Sequence, residues 1–505
     1  MARPSSFAQV EIETGTRSAL IERPQEDAPF HIAILGDFSG RENRGVLDAR
    51  LRGRRPALID RDNFDDVLAE IAPELHLPLG GPDGPRIPIR FRELDDFHPD
   101  RLFERLTIFQ ALRENRERLQ DPAQYEAAAA QVRSWSAKPS SPSPATGPQA
   151  ALPAASTPMG SGLSTRELFE QALSTTESRT GARPARALDD FQALLRDIVA
   201  PYVEPKPDPK KPELVAQVDA AISGQMRALL HHPDFQALEA AWRAVFFLVR
   251  RLSTDVNLKV YLLDIAKPEL AADLIATYER LIEGAPGAES WAVLVGNYTF
   301  DQTDEDVRLL GRMAAVARQA TAPFVAAASQ RVLGCGSLAE APEPREWHPS
   351  TGESWDALRL LPQARWLGLA LPRFLLRLPY GKETGATERF AFEEFGRAPG
   401  HEDYLWANAA FACACLLGEA FSESGWDMRP GEVSEISGLP LHIYSADGES
   451  QLKPCNEALL SERAAEAILD RGLMPLISSR GSDSIRLVRF QSLAHPASAL
   501  SGRWS

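Results

Sequence analysis

Apolar residues along this chain fall into two long patterned stretches, separated by a stretch with no pattern at all. In the first, Phe30 to Leu35 (FHIAIL) is a continuous apolar run stopped by Gly36-Asp37, which predicts a buried strand and a turn. Asp62 to Ile71 predicts a short helix, with Asp62 as its cap and Phe64, Val67, Leu68 and Ile71 on one face. Arg86 to Leu94 alternates: Ile87, Ile89 and Phe91 point one way, Pro88, Arg90 and Arg92 the other. That is a half-exposed strand near a sheet edge. Asp95-Asp96 then lead into a helix carrying Leu102, Leu106, Phe109 and Leu112. The expectation is a small α+β domain over residues 1–135.

Residues 136–162 (SAKPSSPSPATGPQAALPAASTPMGSG) carry almost no large side chain and no helical or strand period. Such a segment cannot bury enough surface to offset the entropy of ordering it, so it reads as a disordered linker. Two modules on one linker meet at a raised effective concentration. Residues 163–211 follow as short helices and a Pro/Lys-rich spacer. Thr165 to Leu173 (TRELFEQAL) places Leu168, Phe169 and Leu173 on one face, and a second short helix falls around Leu188 to Ile198. A short amphipathic helix of this kind either packs on its own domain or docks to a partner.

Residues 212–505 form the second block. Pro212 opens a helix through Leu230, His231-His232-Pro233 interrupts it, and Asp234 caps a helix bearing Phe235, Leu238, Trp242, Val245 and Val249. Val256 to Ile265, Trp291 to Phe300 and Phe324 to Ala328 predict strands separated by helices. That β-α-β-α-β order favours a largely parallel central sheet in a mixed α/β domain, and an α/β chain overall. Trp366 to Gly381 is the most apolar stretch, punctuated by Arg373 and Arg377. Buried arginines need carboxylate or carbonyl partners, and Glu393 and Glu394 are the candidates. His401 to Phe421, with Tyr404, Leu405, Trp406, Phe411 and Leu416, predicts a long central helix. A strand (LHIYS), a helix beginning at Cys455 and a hairpin turning at SRGSD complete the chain.

Charge narrows the function. A net charge of −15 argues against nucleic-acid binding through phosphate contacts and against a polybasic membrane anchor. No apolar run approaches the roughly 20 residues that span a bilayer, and the N-terminus has no secretory signal, so a cytoplasmic protein without direct membrane insertion is expected. Four scattered cysteines read as reduced thiols. GDFSGRE (Gly36 to Glu42) invites a phosphate-loop reading, yet it lacks G-x-x-x-x-G-K-[ST], G-x-G-x-x-G and G-x-S-x-G, and a structural turn is favoured. Adjacent His231 and His232 do not share a helix face, which favours a structural role over metal ligation. No histidine has a catalytic partner at motif spacing, so neither enzyme chemistry nor a metal or cofactor is expected.

Three strings in the first block resemble the small sheath subunit of bacterial type VI secretion systems (VipA/TssB-like). They are LGDFSGREN with Gly36, Asp37 and Phe38, IDRDNFDDVLAEIAPEL with Asn63 and Phe64, and IRFRELDDFHPDRL. The second block resembles the large sheath subunit (VipB/TssC, also EvpB) over about residues 210–490. Its strings include HHPDFQALEAAWR, VLVGNYTFD, LALPRFLLRLPYG with Arg373 and Arg377, FEEF with Glu393 and Glu394, YLWANAAFA and KPCNEALLSERAAEAILDRGLMPL. The resemblance implies both sheath components fused in one structural polypeptide. It implies a cytosolic sheath that surrounds an inner tube and contracts to drive it outward, delivering effectors. The implied partners are other sheath subunits, the inner tube protein, baseplate components and an AAA+ unfoldase that recycles the sheath. The positional match to the helix gripped by that unfoldase is the one with Leu168, Phe169 and Leu173. Large subunits of the common type continue past the point matching Ala499 to Ser505, with strands exchanged between neighbours. The alternative is therefore a non-polymerising accessory protein that binds baseplate, tube or sheath.

Overall fold

The computed structural model describes residues 24–136, 194–199 and 211–504, apart from 26, 49–50, 52–53, 79–83, 197, 284–290, 350–351, 397–398 and 447. The linker 136–162 beyond its first residue, and the helix predicted at 165–173, lie outside the described residues.

Strands from both blocks build one sheet. The first block contributes β1 (Phe30–Gly36), β2 (Ala57–Ile59), β3 (Glu74–Pro78) and β4 (Arg86–Arg90). The second contributes β5 (Leu258–Asp264), β6 (Trp291–Phe300), β7 (Phe324–Ala328), β8 (Leu367–Leu371), β9 (Phe374–Leu375), β10 (Trp406–Ala407), β11 (Glu435–Ile436), β12 (His442–Ala446), β13 (Glu449–Lys453), β14 (Met474–Ile477) and β15 (Ile485–Leu487). Nine of them form the order β11-β15-β14-β8-β7-β6-β1-β5-β2. The first block is not closed off from the second at this sheet. β1 lies in the interior of the sheet, parallel to β5 on one side and to β6 on the other. Among the described residues, only the β3–β4 hairpin is a sheet of the first block's own.

This placement explains why FHIAIL is apolar throughout. A parallel strand covered by helices on both faces has no solvent side. All of β1 is buried. Phe30, Ile32 and Ile34 enter the core shared with the helices Pro233–Arg251 and Ala410–Ser424. Ala33 and Leu35 enter the opposite core with the helix Asp304–Ala320.

Several element boundaries differ from expectation, most of them where a polar side chain or a strand pairing competes for the backbone. The first helix runs Phe64–Ile71 with Asn63, not Asp62, at its N-cap. Asp60 Oδ1 accepts from the Asp62 and Asn63 amides, and Asn63 Oδ1 accepts from the Asp60 amide, which holds 60–63 in a turn. The helix through Leu102 and Leu112 is two helices, Pro99–Arg105 and Thr107–Gln120, joined at an extended Leu106. The second-block helix starting at Pro233 is capped by His232, whose Nδ1 accepts from the Asp234 amide, rather than by Asp234. His98-Pro99-Asp100 repeats that arrangement. The central helix begins at Ala410 instead of His401, because Trp406–Ala407 pairs with β9 and Asn408 Oδ1 caps the Ala410 amide. The helix predicted from Cys455 begins at Glu462, where Ser461 caps it, and Cys455 is buried ahead of it.

Candidate functional site

The two blocks meet at the C-terminal end of β1, and the GDFSG turn is the centre of that seam. The Phe38 and Ser39 amides donate to Asp264 Oδ1 at 2.8 and 3.1 Å, while the Ser39 hydroxyl and Arg41 Nε donate to Oδ2 at 2.7 and 2.8 Å. Asp264 ends β5, so a carboxylate of the second block fills the anion-binding turn of the first. This is the physical reason the turn is no phosphate loop: its donors are already spent. Gly40 has φ of +72°, and a Cβ there would meet the Glu74 carbonyl oxygen at 2.6 Å. Asp37 turns back to accept from the Arg41 and Glu42 amides, both at 2.9 Å. Burial, with Asp264 nearby, still raises its carboxyl above the ordinary value.

Side chains lock the turn from both directions. Trp242 Nε1 donates to the Phe38 carbonyl at 2.9 Å, and its ring takes Phe38 and Phe64 edge-on at 5.6 and 5.8 Å. Asn43 Nδ2 donates to Asp234 at 2.7 Å. Arg54 clamps Glu269 through both terminal nitrogens at 2.7 and 2.6 Å. Burial opposes ionisation of Glu269, but the Arg54 bonds and two backbone amides outweigh it and lower its carboxyl. Charge-assisted bonds of this kind contribute about 1.5–3 kcal/mol each. A cavity of about 480 Å³ opens beside the seam, lined by Asp37, Glu42, Asp234 and Lys267 among others.

A second buried constellation lies behind the seam. Arg377 reaches Glu239 at 2.9 Å and Glu394 at 2.8 and 3.0 Å. Arg243 completes it through Glu239 at 2.7 Å and the Tyr380 hydroxyl at 3.0 Å. Two cations and two carboxylates therefore balance in one cluster, with Glu239 and Glu394 almost wholly buried. Burial opposes ionisation of Glu394, yet Arg377 holds its carboxyl down to about 2. Nearby, Glu457 takes Arg373 Nε at 3.0 Å and the Arg373 amide at 2.9 Å, and Arg373 also reaches Glu402 at 2.9 Å. His401, Glu402 and Glu457 lie close enough to hold a metal. The Arg373 guanidinium, bound to both carboxylates, already supplies the positive charge there.

The structure thus brings Gly36, Asp37 and Phe38 into the seam. Asn63 tends the sheet edge instead, donating to the Leu58 carbonyl of β2 at 3.1 Å. Of the two arginines, Arg377 meets Glu394, whereas Arg373 meets neither glutamate of FEEF. Glu393 accepts from the Lys382 amide at 3.0 Å. Leu168, Phe169 and Leu173 lie outside the described residues. His231 stands 3.5 Å from both Glu394 and Asp403. Sequence reasoning missed Asp264, Glu239 and Glu457. Glu239 left a signal, being a charge in the apolar helical stripe of Phe235, Leu238 and Trp242. Glu457 and Asp264 left none, since both sit at the ends of irregular or strand segments where carboxylates are common.

A sheet completed across two blocks, with its polar groups spent on holding those blocks together, defines a structural two-part subunit. Residues 212–494 match the profile of the EvpB (VipB) tail sheath N-terminal domain, and residues 11–134 match that of the type VI secretion system VipA family. The chain belongs to the VipB tail-sheath family and carries a VipA-type segment ahead of it, the two fused in one polypeptide. It is 38% identical over 305 residues to the type VI secretion system sheath protein TssC1 of Pseudomonas aeruginosa, a match covering 56% of this chain and 61% of that protein. Among the described residues no helix is long and apolar enough to cross a membrane.

Proposed function

We propose that this chain is a fused small-plus-large sheath subunit that forms or joins a cytosolic sheath around an inner tube and contracts to drive that tube outward. The observation that carries the reading is β1, a first-block strand that completes the sheet of the second block. A protomer whose halves share a sheet moves as one rigid body. Contraction then requires rearrangement between protomers, through heterologous contacts that do not close on themselves. Its partners on this reading are further sheath subunits, the tube protein and the baseplate. Electron microscopy of the purified chain, alone and with a tube protein, tests it. Tubes or helical filaments are expected. Small discrete particles under every condition would instead leave a non-polymerising accessory that binds baseplate, tube or sheath.

The unfoldase contact is the second element of the proposal, resting on Leu168, Phe169 and Leu173 as one apolar face. A Leu168→Asp, Phe169→Asp double variant should lose binding to the AAA+ unfoldase while still assembling. Unchanged binding would remove the assignment.

A further inference from the structure

The helix Glu353–Leu360 and the turn that follows the helix Glu462–Leu469 each bring an arginine to one cleft of about 400 Å³. Arg359 is held in place there. Its Nε donates to the Leu493 carbonyl at 3.1 Å and its Nη2 to the Asp470 carbonyl at 3.3 Å, which leaves Nη1 without an acceptor. Gly472, at φ of +77°, lets the backbone pass so close that a Cβ there would meet Arg359 Nη2 at 3.2 Å. Arg471 is half-buried, and its guanidinium donates no hydrogen bond among the described residues. Trp347 forms a further wall. Its Nε1 is spent on the Ala341 carbonyl at 2.8 Å, so it offers the cleft only apolar ring.

Among the described residues neither arginine has a carboxylate within ion-pair distance, Asp356 and Asp470 included. Burial disfavours the charge on both. The Asp356 carboxylate opposes that effect at each, and Arg471 adds to it at Arg359. A guanidinium keeps its charge regardless, so a recessed one without a partner has an unmet demand for an oxyanion. The chain as a whole has the opposite excess, with 70 Asp and Glu against 55 Lys and Arg. Two copies that meet acid to acid repel, whereas a cationic recess gives an acidic surface somewhere favourable to land. Leu360, 65% exposed and next in the chain to Arg359, adds apolar surface at the same place. Tryptophan and arginine are the side chains on which protein contacts most often turn. We propose that this cleft receives an aspartate or glutamate side chain of a second copy of the chain, its carboxylate held between Arg359 Nη1 and the Arg471 guanidinium and its stem against Trp347. On the reading of the chain as a sheath-forming subunit, on which this site depends, the cleft is one half of a contact between neighbours. The contact is not isologous, because two clefts face to face would bring four guanidiniums together. It is heterologous, the class of contact that builds rings and open helices.

Arg471→Glu in the full chain tests this, because the arginine side chain holds nothing else in place. Assembly is followed by sedimentation and electron microscopy, alone and with a tube protein. The variant should keep the parent's near-ultraviolet circular dichroism and urea midpoint, yet need a concentration about tenfold higher or more to assemble. Arg471→Lys, which keeps the charge, should fall between the two. Arg471→Ala serves if the glutamate variant does not fold. A photo-crosslinker at Leu360→benzoylphenylalanine, in a mixture of isotopically labelled and unlabelled copies, gives a second measure. It should join labelled to unlabelled chains at a peptide carrying Asp or Glu, and the product should vanish in Arg471→Glu. A parent chain that assembles, with Arg471→Glu and Arg471→Ala assembling equally well, would overturn the cleft assignment alone. So would crosslinks confined within single copies of an assembled parent. A parent that assembles under no condition would overturn both the cleft and the sheath-forming reading beneath it.

Discussion

Replacing Arg377 by Met removes the central cation of the buried quartet and leaves the packing volume nearly intact. Glu394 would keep only the Tyr380 amide and the neighbouring His231, and Glu239 would keep only Arg243. Breaking a buried pair on one side costs about 3–5 kcal/mol, because a charge is left without compensation. The carboxyl itself gives a second measure. Held at about 2 instead of 4.5, Glu394 represents about 3 kcal/mol of preference for the charged form. Against a total of about 5–15 kcal/mol for a folded domain, that is a large fraction. In the parent chain this stability is fully present above the ordinary carboxyl value of 4.5, and it is lost as pH falls from there toward about 2. In Arg377→Met the sign reverses. A buried carboxyl without its cation binds its proton more tightly when folded, so stability is lost as pH rises. Urea unfolding followed by tryptophan fluorescence at pH 7 and pH 5 measures both effects. The variant should lose about 3–5 kcal/mol at neutral pH and less at pH 5. Adding Glu394→Gln should restore part of the loss. A variant within about 1 kcal/mol of the parent at both pH values, or a second substitution that only adds further damage, would refute the reasoning.

Asp264→Asn keeps the shape of the seam but removes the charge that draws in four donors, at a cost of about 2–4 kcal/mol. With a protease site inserted in the linker, cleaved halves of the parent chain should co-elute in gel filtration, and those of the variant should separate at lower denaturant. Gly40→Ala must leave its left-handed conformation or collide with the Glu74 carbonyl, so calorimetry should show a loss of about 1–3 kcal/mol. Trp242→Phe should cost more than its lost area, because the Phe38 carbonyl is left without its donor; denaturant midpoints should fall by the equivalent of about 1–3 kcal/mol.

Much of the fold was legible because it rests on local pattern. β5, β6 and β7 announced themselves as apolar runs between amphipathic helices, and their parallel order followed from the connections. What the pattern could not carry was partnership. FHIAIL predicts a strand buried on both faces, but nothing in it says that its neighbours lie more than two hundred residues away. The same limit explains the arginines. Arg377 found Glu394, seventeen positions on, whereas Arg373 bypassed the nearby glutamates for Glu457, 84 positions on. Boundaries failed where short polar side chains or a two-strand pairing outbid helix propensity, as at Asn63, Asn408 and Ser461.

The position of β1 changes what the fusion means. A linker alone would fix the ratio of two modules and raise their effective concentration, leaving each module whole. Here neither block is whole. Without β1, β5 and β6 would face each other across a gap one strand wide, each with an unpaired parallel edge in the middle of the sheet. Without β5, the Phe38 and Ser39 amides would lose their carboxylate, and β2 would lose the strand it pairs with. Exposed edges of this length are templates for pairing with other chains. The seam therefore enforces one-to-one assembly by itself, and the covalent link acts on the rate at which the halves find each other. Closing a longer loop costs only about 0.6 kcal/mol for each doubling of its length, so the seam tolerates a long, compositionally loose connection between the blocks. That is consistent with residues 136–162 having no pattern to keep.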